Sequence, residues 1–201
     1  MKKYAMVFDA GTGAGRCNLF DMSGRLVSYA YREWEYLKDL SSSNKEAMLF
    51  DAEQFKKILF SLCRKVITQA GISADEIVAV SATSQREGMV WLDRFGKEIY
   101  AAPSVDLRGE EAADILSGKE PFIKEITGLP VSGMFGLARL LWYKKFNEAV
   151  YDRIDTVMMI SDWICYLLCG SKVSEPSVAS SSQLFDVKNG KWSSELLKSV
   201  G

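Results

Sequence analysis

The stretch Met6-Val-Phe-Asp-Ala-Gly-Thr-Gly-Ala-Gly-Arg16 concentrates the residue types that handle phosphate. An apolar run from Tyr4 to Phe8 ends on a carboxylate, Asp9, and a glycine-punctuated turn with one hydroxyl, Thr12, follows. Glycines at 11 and 13 let backbone N–H groups approach phosphate oxygens, since no Cβ stands in the way. A carboxylate beside a polyphosphate repels it unless a hard divalent cation sits between them, so Asp9 implies Mg²⁺. The P-loop alternative requires a lysine after the glycines, and none follows. The dinucleotide alternative requires G-x-G-x-x-G entering a helix, whereas here Gly11, Gly13 and Gly15 lead into a strand-like run. An ordinary hairpin with a turn aspartate uses the same residues and stays open on this motif alone.

Two further polar clusters follow. Gln85, Arg86 and Glu87 come shortly after an apolar run, Ile77 to Ser81, at the place where open α/β sheets bind ligands. An arginine beside a glutamate offers donors and acceptors together, which suits the vicinal hydroxyls of a polyol or sugar; a solvated loop salt bridge is the competing reading. Asp106 and Arg108 follow Pro103, and they serve equally as a helix N-cap and a first-turn side chain.

Composition narrows the chemistry. The 201 residues contain no histidine, which removes Ser-His-Asp and Cys-His sites and every imidazole-dependent metal site. The four cysteines, Cys17, Cys63, Cys165 and Cys169, form no C-x-x-C pair and read as buried free thiols. With 25 basic and 26 acidic side chains there is no positive excess for a nucleic-acid backbone. The longest apolar stretch, 156–169, is broken by Asp162 and too short to span a bilayer, and no signal-peptide pattern opens the chain. A cytoplasmic protein without nucleic-acid or membrane partners is expected.

The elements that must position these groups follow from spacing. Tyr4 to Phe8, Cys17 to Phe20 and Leu26 to Tyr31 read as an antiparallel meander. Residues 34–50 read as a polar loop. Asp51 caps a helix carrying Phe55, Ile58, Leu59, Leu62 and Val66 at helical intervals, with Gln54 as capping-box partner and Gly71 as stop. A buried strand over 77–81 then makes a mixed α/β sheet with a crossover. Met89 to Leu92 is a strand, 94–96 a hairpin turn, 109–116 a helix and 127–130 a turn. An amphipathic helix over 135–146, a short strand to Ile160, and a helix capped by Ser161 and stopped by Gly170 come next. A strand, a tight Asn189-Gly190 turn and a helix starting at Ser193 or Ser194 close the chain.

The glycine turn resembles the phosphate hairpin of the actin, hexokinase and Hsp70 ATPases. The ordered set of Asp9-Ala-Gly-Thr12 with Arg16, Gln85-Arg-Glu-Gly88, Val105-Asp-Leu-Arg108, Gly128-Leu-Pro-Val131, Leu140-Leu-Trp142, Ser161-Asp-Trp163, Leu184-Phe-Asp186 and Gly190-Lys-Trp192 resembles the N-terminal half of FGGY carbohydrate kinases. The resemblance implies an α/β domain of ribonuclease H-like, actin/hexokinase type over 1–201, a mixed sheet flanked by helices, facing a C-terminal domain absent from this chain. It implies ATP and Mg²⁺, with Asp9 at the metal and the transferred phosphoryl. Gly11, Thr12, Gly13 and Arg16 would bind phosphate, and Gln85, Arg86, Glu87 and Asp106 a sugar or polyol. It also places the catalytic base in the missing domain, so that the isolated chain is nearly inactive. The family's tryptophan before the Asp-x-Arg segment is replaced by Ser104, which disfavours glycerol and leans toward autoinducer-2 kinases. A solitary actin-like binding module, with its bare interdomain face favouring a homodimer, is the alternative. An acyl-phosphate kinase is a third reading, against which Arg86-Glu87 and Gly190-Lys-Trp192 weigh.

Overall fold

Alternation along the first strand organises the domain. In the computed structural model, which describes residues 3–200, β1 (Tyr4–Ala10), β2 (Ala14–Asp21) and β3 (Leu26–Glu33) form the antiparallel meander. Tyr4, Met6, Phe8 and Ala10 are buried, whereas Ala5, Val7 and Asp9 lie half-buried on the opposite face. Two short strands, β4 (Leu37–Lys38) and β5 (Met48–Leu49), pair within the stretch expected as loop. Helix α1 (Ala52–Ala70) starts where Asp51 accepts the Gln54 N–H at 3.0 Å. It ends at Gly71, whose φ of 64° is the left-handed cap that glycine adopts without a Cβ penalty.

The chain returns parallel to β1 as β6 (Ile77–Ser84), which gives the sheet order β3-β2-β1-β6. This corrects the expectation of a buried strand. β6 is an edge, with Val78 50% and Val80 44% exposed. The reason is coverage: α1 crosses β2 and β3, and the outer side of β6 pairs with no strand among the described residues.

A second, three-stranded sheet contains β7 (Met89–Leu92), β8 (Glu98–Ala102) and β9 (Thr156–Met159) in the order β8-β7-β9. Every residue of central β7 is buried. Arg108–Leu116 folds as a 3₁₀ segment and is followed by α2 (Glu120–Thr127), α3 (Gly136–Phe146) and α4 (Glu148–Tyr151). Helix α3 departs from the amphipathic expectation, since seven consecutive-to-near residues from Gly136 to Tyr143 are buried, Arg139 included. It lies between the 3₁₀ segment and β7, where Gly136 admits the Met89 side chain.

Helix α5 (Ile160–Cys169) packs on β6 and ends at Gly170 as expected, but Ser161 is not its cap. The first N–H groups are satisfied by the end of β6 and the loop after it: Ile160 donates to the Gly88 carbonyl at 3.2 Å and Ser161 to Ser84 Oγ at 3.0 Å. Then come α6 (Pro176–Ala179), β10 (Phe185–Asp186), β11 (Lys191–Trp192) and α7 (Ser194–Ser199), the last capped by Ser193. Of the cysteines, Cys17 is buried and its thiol pushed up to about 12 by desolvation and by the neighbouring Cys63. Cys63 and Cys165 are half-buried, and Cys169 is exposed at the end of α5, contrary to the buried reading. Among the described residues no helix is long and apolar enough to cross a membrane.

Candidate functional site

The turn between β1 and β2 has its polarity set by what it touches. Four successive carbonyls face the protein and are satisfied there. Ala10 accepts the Gln85 N–H at 2.8 Å, Gly11 accepts Gln85 Nε2 at 3.3 Å, and Gly13 accepts the Trp34 N–H at 3.1 Å. The Thr12 carbonyl accepts both Trp34 Nε1, at 3.2 Å, and the Tyr36 hydroxyl. The N–H groups of Thr12 and Gly13, by contrast, have no partner among the described residues. The Gly11 N–H, expected on phosphate, is instead consumed by the Ala14 carbonyl at 2.9 Å, so the turn offers two free donors, those of Thr12 and Gly13, to an anion. Gly15 is required beneath it, because a Cβ there would lie 2.4 Å from Trp34 Cζ3.

Asp9 and Arg16 face each other across the β1–β2 ladder and line an open cleft of about 450 Å³ with Gly11, Gly13, Ala14, Tyr31 and Glu33. The Arg16 guanidinium lies over the Tyr31 ring at 5.6 Å, a cation–π contact that leaves its donors free for an anion. The Asp9 side chain makes no hydrogen bond or ion pair within the described residues. Among those residues no group of three or more metal-type ligands exists, so a cation has no all-protein cage. Mg²⁺ fits nevertheless, since it takes one or two carboxylates and completes its shell with water and phosphate oxygens.

The loop after β6 is held from several sides. Gln85 uses its whole amide inside the chain: Nε2 donates to the Gly11 carbonyl and to the Tyr36 hydroxyl, at 2.9 Å for the latter. Its Oε1 accepts the Ser104 N–H and hydroxyl, each at 2.8 Å. Gln85 therefore ties the anion cradle to the Ser104 segment and has no group left for a ligand. Glu87 sits at φ 60°, a left-handed conformation uncommon for a residue with a side chain. Its N–H donates to Ser181 Oγ at 3.2 Å and its carbonyl accepts Arg139 at 2.9 Å. Gly88 must follow, because a Cβ would meet Ile160 Cδ1 at 2.6 Å. Arg86 is exposed and Glu87 half-buried, and neither side chain forms a hydrogen bond or ion pair within the described residues. Burial raises the Glu87 carboxyl above its ordinary range, and the charges of Arg86 and Arg139 partly oppose the rise.

Asp106 lies deeper. It is fully buried, with Oδ2 accepting the Tyr100 hydroxyl at 2.5 Å and Arg108 Nε at 2.8 Å, and Oδ1 accepting the Met48 N–H at 3.0 Å. Arg108 reaches on to Asp39 at 2.8 Å and the Tyr143 hydroxyl at 2.7 Å, and its guanidinium lies 5.1–5.2 Å from the rings of Tyr100, Trp142 and Tyr143.

The structure thus brings Asp9, Gly11, Gly13 and Arg16 to one cleft, keeps Thr12 in the same turn without lining that cleft, and displays Arg86 and Glu87 on an adjoining loop. Gln85 and Asp106 are spent in bonds that hold the surrounding segments. Sequence reasoning missed Arg139, Ser181 and the structural part of Ser104. A signal existed for the first: Arg139 lies four residues after Phe135 and three before Trp142, on the stripe that helical spacing assigns to the core.

Residues 4–201 match the model of the FGGY family of carbohydrate kinases, N-terminal domain. An autoinducer-2 kinase of Salmonella paratyphi B is 33% identical over 204 residues, covering 98% of this chain but 38% of that protein. The chain therefore spans about two-fifths of the length of the curated relatives it matches. Among solved structures, a xyloylose kinase from Brucella ovis superposes with a TM-score of 0.89 at 22% identity, over 98% of this chain and 40% of the other. A gluconate kinase from Lactobacillus acidophilus gives 0.83 at 21%, over 100% and 40%. These likenesses confirm the expected α/β fold of actin/hexokinase type, and with the family match they establish that the chain belongs to the FGGY family of carbohydrate kinases.

Proposed function

We propose that this chain is the phosphate- and sugar-binding half of an ATP-dependent kinase that phosphorylates a hydroxyl of a sugar or polyol. The observation that carries the reading is the polarity of the β1–β2 turn, with carbonyls 10–13 turned inward, two free N–H groups outward, and an unpaired Asp9 beside them. Asp9 would hold Mg²⁺ on the terminal phosphates, while Thr12, Gly13 and Arg16 would bind phosphate oxygens. Arg86 and Glu87 would donate to and accept from substrate hydroxyls. In this reading Gln85 and Asp106 position other groups rather than touch the substrate. Phosphoryl transfer relies on positioning and charge stabilisation in a closed cleft, and Mg²⁺ supplies part of that stabilisation when bound. The base that takes the hydroxyl proton belongs, in this reading, to the part of the relatives that this chain does not match. The relatives' names (autoinducer-2, xyloylose and gluconate kinases) point to a polyhydroxylated carbonyl compound or acid as substrate class.

Thermal shift with Mg-ADP tests the phosphate half. Mg-ADP should stabilise the chain, and Asp9→Asn should abolish that gain while leaving the unliganded melting temperature within about 2 °C, because the Asp9 side chain makes no internal bond. Retention of the full shift in Asp9→Asn would remove the metal role. Robust sugar-dependent ADP release by the isolated chain would show that the base lies within it.

A further inference from the structure

Arg139 belongs to none of the motifs above, yet it is fully buried and its guanidinium joins the turn that presents Arg86 and Glu87 to the Ser104 segment beside it. One terminal nitrogen donates to the Glu87 carbonyl at 2.9 Å and the other to the Ser104 carbonyl at 3.1 Å. Its Nε has no hydrogen-bond partner and stands 3.9 Å from Asp106 Oδ2. A buried guanidinium carries a large desolvation cost, and an apolar side chain of similar volume would fill the space without it. Two backbone carbonyls and a distant carboxylate are a modest return in stability.

What the arginine secures is a conformation. Glu87 is held at φ 60°, where the peptide on its N-terminal side is fixed by Ser181 Oγ and the one on its C-terminal side by Arg139. A side-chain-bearing residue persists there only when its surroundings over-determine it, and such outliers gather at ligand clamps. The same guanidinium ties this turn to Ser104, whose N–H and hydroxyl are already held by Gln85. Arginine's planar fork spans both carbonyls at once, which a lysine, a single point of charge, does not.

We propose that Arg139 is a positioning residue for substrate recognition. With Ser181 it locks the Arg86-Glu87 turn in the left-handed conformation and fixes its distance from Ser104, so that the two unpartnered side chains meet the ligand already oriented. The proposal rests on the sugar-kinase reading for the identity of the ligand and stands apart from it for the clamp.

Two measurements on the 201-residue chain test it. In the first, amide hydrogen exchange is followed in the wild type, Arg139→Lys and Ser181→Ala. Losing one hydrogen bond of the fork should speed exchange at Glu87 and Ser104 by about 10-fold in Arg139→Lys, with central-strand amides such as Val90 unchanged. Ser181→Ala, a milder change, should speed Glu87 alone. Unaltered exchange at Glu87 and Ser104, or equal acceleration at Val90, overturns the clamp. In the second, D-xylulose, D-gluconate and glycerol are titrated by chemical-shift perturbation, with Mg-ADP in parallel. Arg139→Lys should weaken the sugar that binds by about 10-fold and leave Mg-ADP unaffected. Equal weakening of both ligands indicates general loosening and overturns the positioning role. If the wild type binds none of the three probes, the sugar reading fails, and the exchange measurement still decides the clamp.

Discussion

At the scale of single residues, the site divides into groups left free and groups consumed. The side chains of Asp9, Arg86 and Glu87 have no hydrogen-bond or ion-pair partner inside the described residues, whereas those of Gln85 and Asp106 have every useful atom engaged. Glu87 makes the cost of the first condition measurable. Burial raises its pKa in the folded state above the unfolded value, so the folded state binds the proton more tightly. Its ionisation therefore destabilises the fold as pH rises from the unfolded pKa through the raised folded one. Glu87→Gln should accordingly melt higher than the wild type near about pH 7, and the gap should narrow toward about pH 3, below the ordinary carboxyl value of about 4.3, where both side chains are neutral. Calorimetry at the two pH values checks this; a gap that widens on acidification contradicts the raised pKa. Gly15 offers a steric counterpart. A methyl there collides with Trp34, which holds the Thr12 and Gly13 carbonyls, so Gly15→Ala should cost about 1–3 kcal/mol and lower Mg-ADP affinity together, as denaturation and titration would show.

At the scale of elements, the buried Arg108 explains why segments far apart in sequence converge on one place. Its side chain bonds Asp106 after β8, Asp39 between β4 and β5, and Tyr143 on α3. Asp39 shows the balance of forces. Burial would raise its pKa, but hydrogen bonds from Ser41 and the Arg108 charge outweigh this and hold the carboxyl below its usual range. Removing the cation leaves two carboxylates without their partner. Arg108→Leu should therefore destabilise the chain by about 3–5 kcal/mol in urea denaturation, well beyond the effect of trimming an exposed ion pair such as Lys188–Glu125. A loss under about 1 kcal/mol would mean that the aromatic cage around Arg108, and not its ion pairs, holds these segments together.

At the scale of the whole molecule, the four-stranded sheet is covered on one face and bare along one edge. The buried side chains of β1 and β2 share a core with α1 and α5, while Tyr29 and Tyr31 on β3 remain 60% and 43% exposed. Edge strand β6, Ile77-Val-Ala-Val-Ser-Ala-Thr-Ser84, carries no charge and no proline, the devices that usually keep edges from pairing. The purified chain should therefore self-associate with rising concentration, through an edge distinct from the interdomain face on which a homodimer is expected for the solitary-module alternative. Val80→Lys should suppress that association in sedimentation velocity without altering the monomer's fold, because Val80 is 44% exposed. Identical sedimentation of both proteins across the concentration range would place the contact elsewhere.

The amino-acid sequence by itself determined what depends on neighbours in the chain. The meander, the Asp51 and Gly71 ends of α1, the Asn189-Gly190 turn and the glycine turn after Asp9 all arise from local periodicity, caps and backbone freedom, and each was legible for that reason. Which polar side chains remain available was settled by packing between distant segments. Whether Gln85 and Asp106 meet a ligand or brace a loop depends on Ser104, Tyr100 and Arg108 arriving from elsewhere. The exposure of β6 depends on where α1 and α5 come to rest, and the role of Arg139 on two carbonyls 35 and 52 residues away. A hydrogen-bonding group has no fixed function until the fold supplies or withholds its partner, and that choice is made in space, across separations that no local pattern encodes.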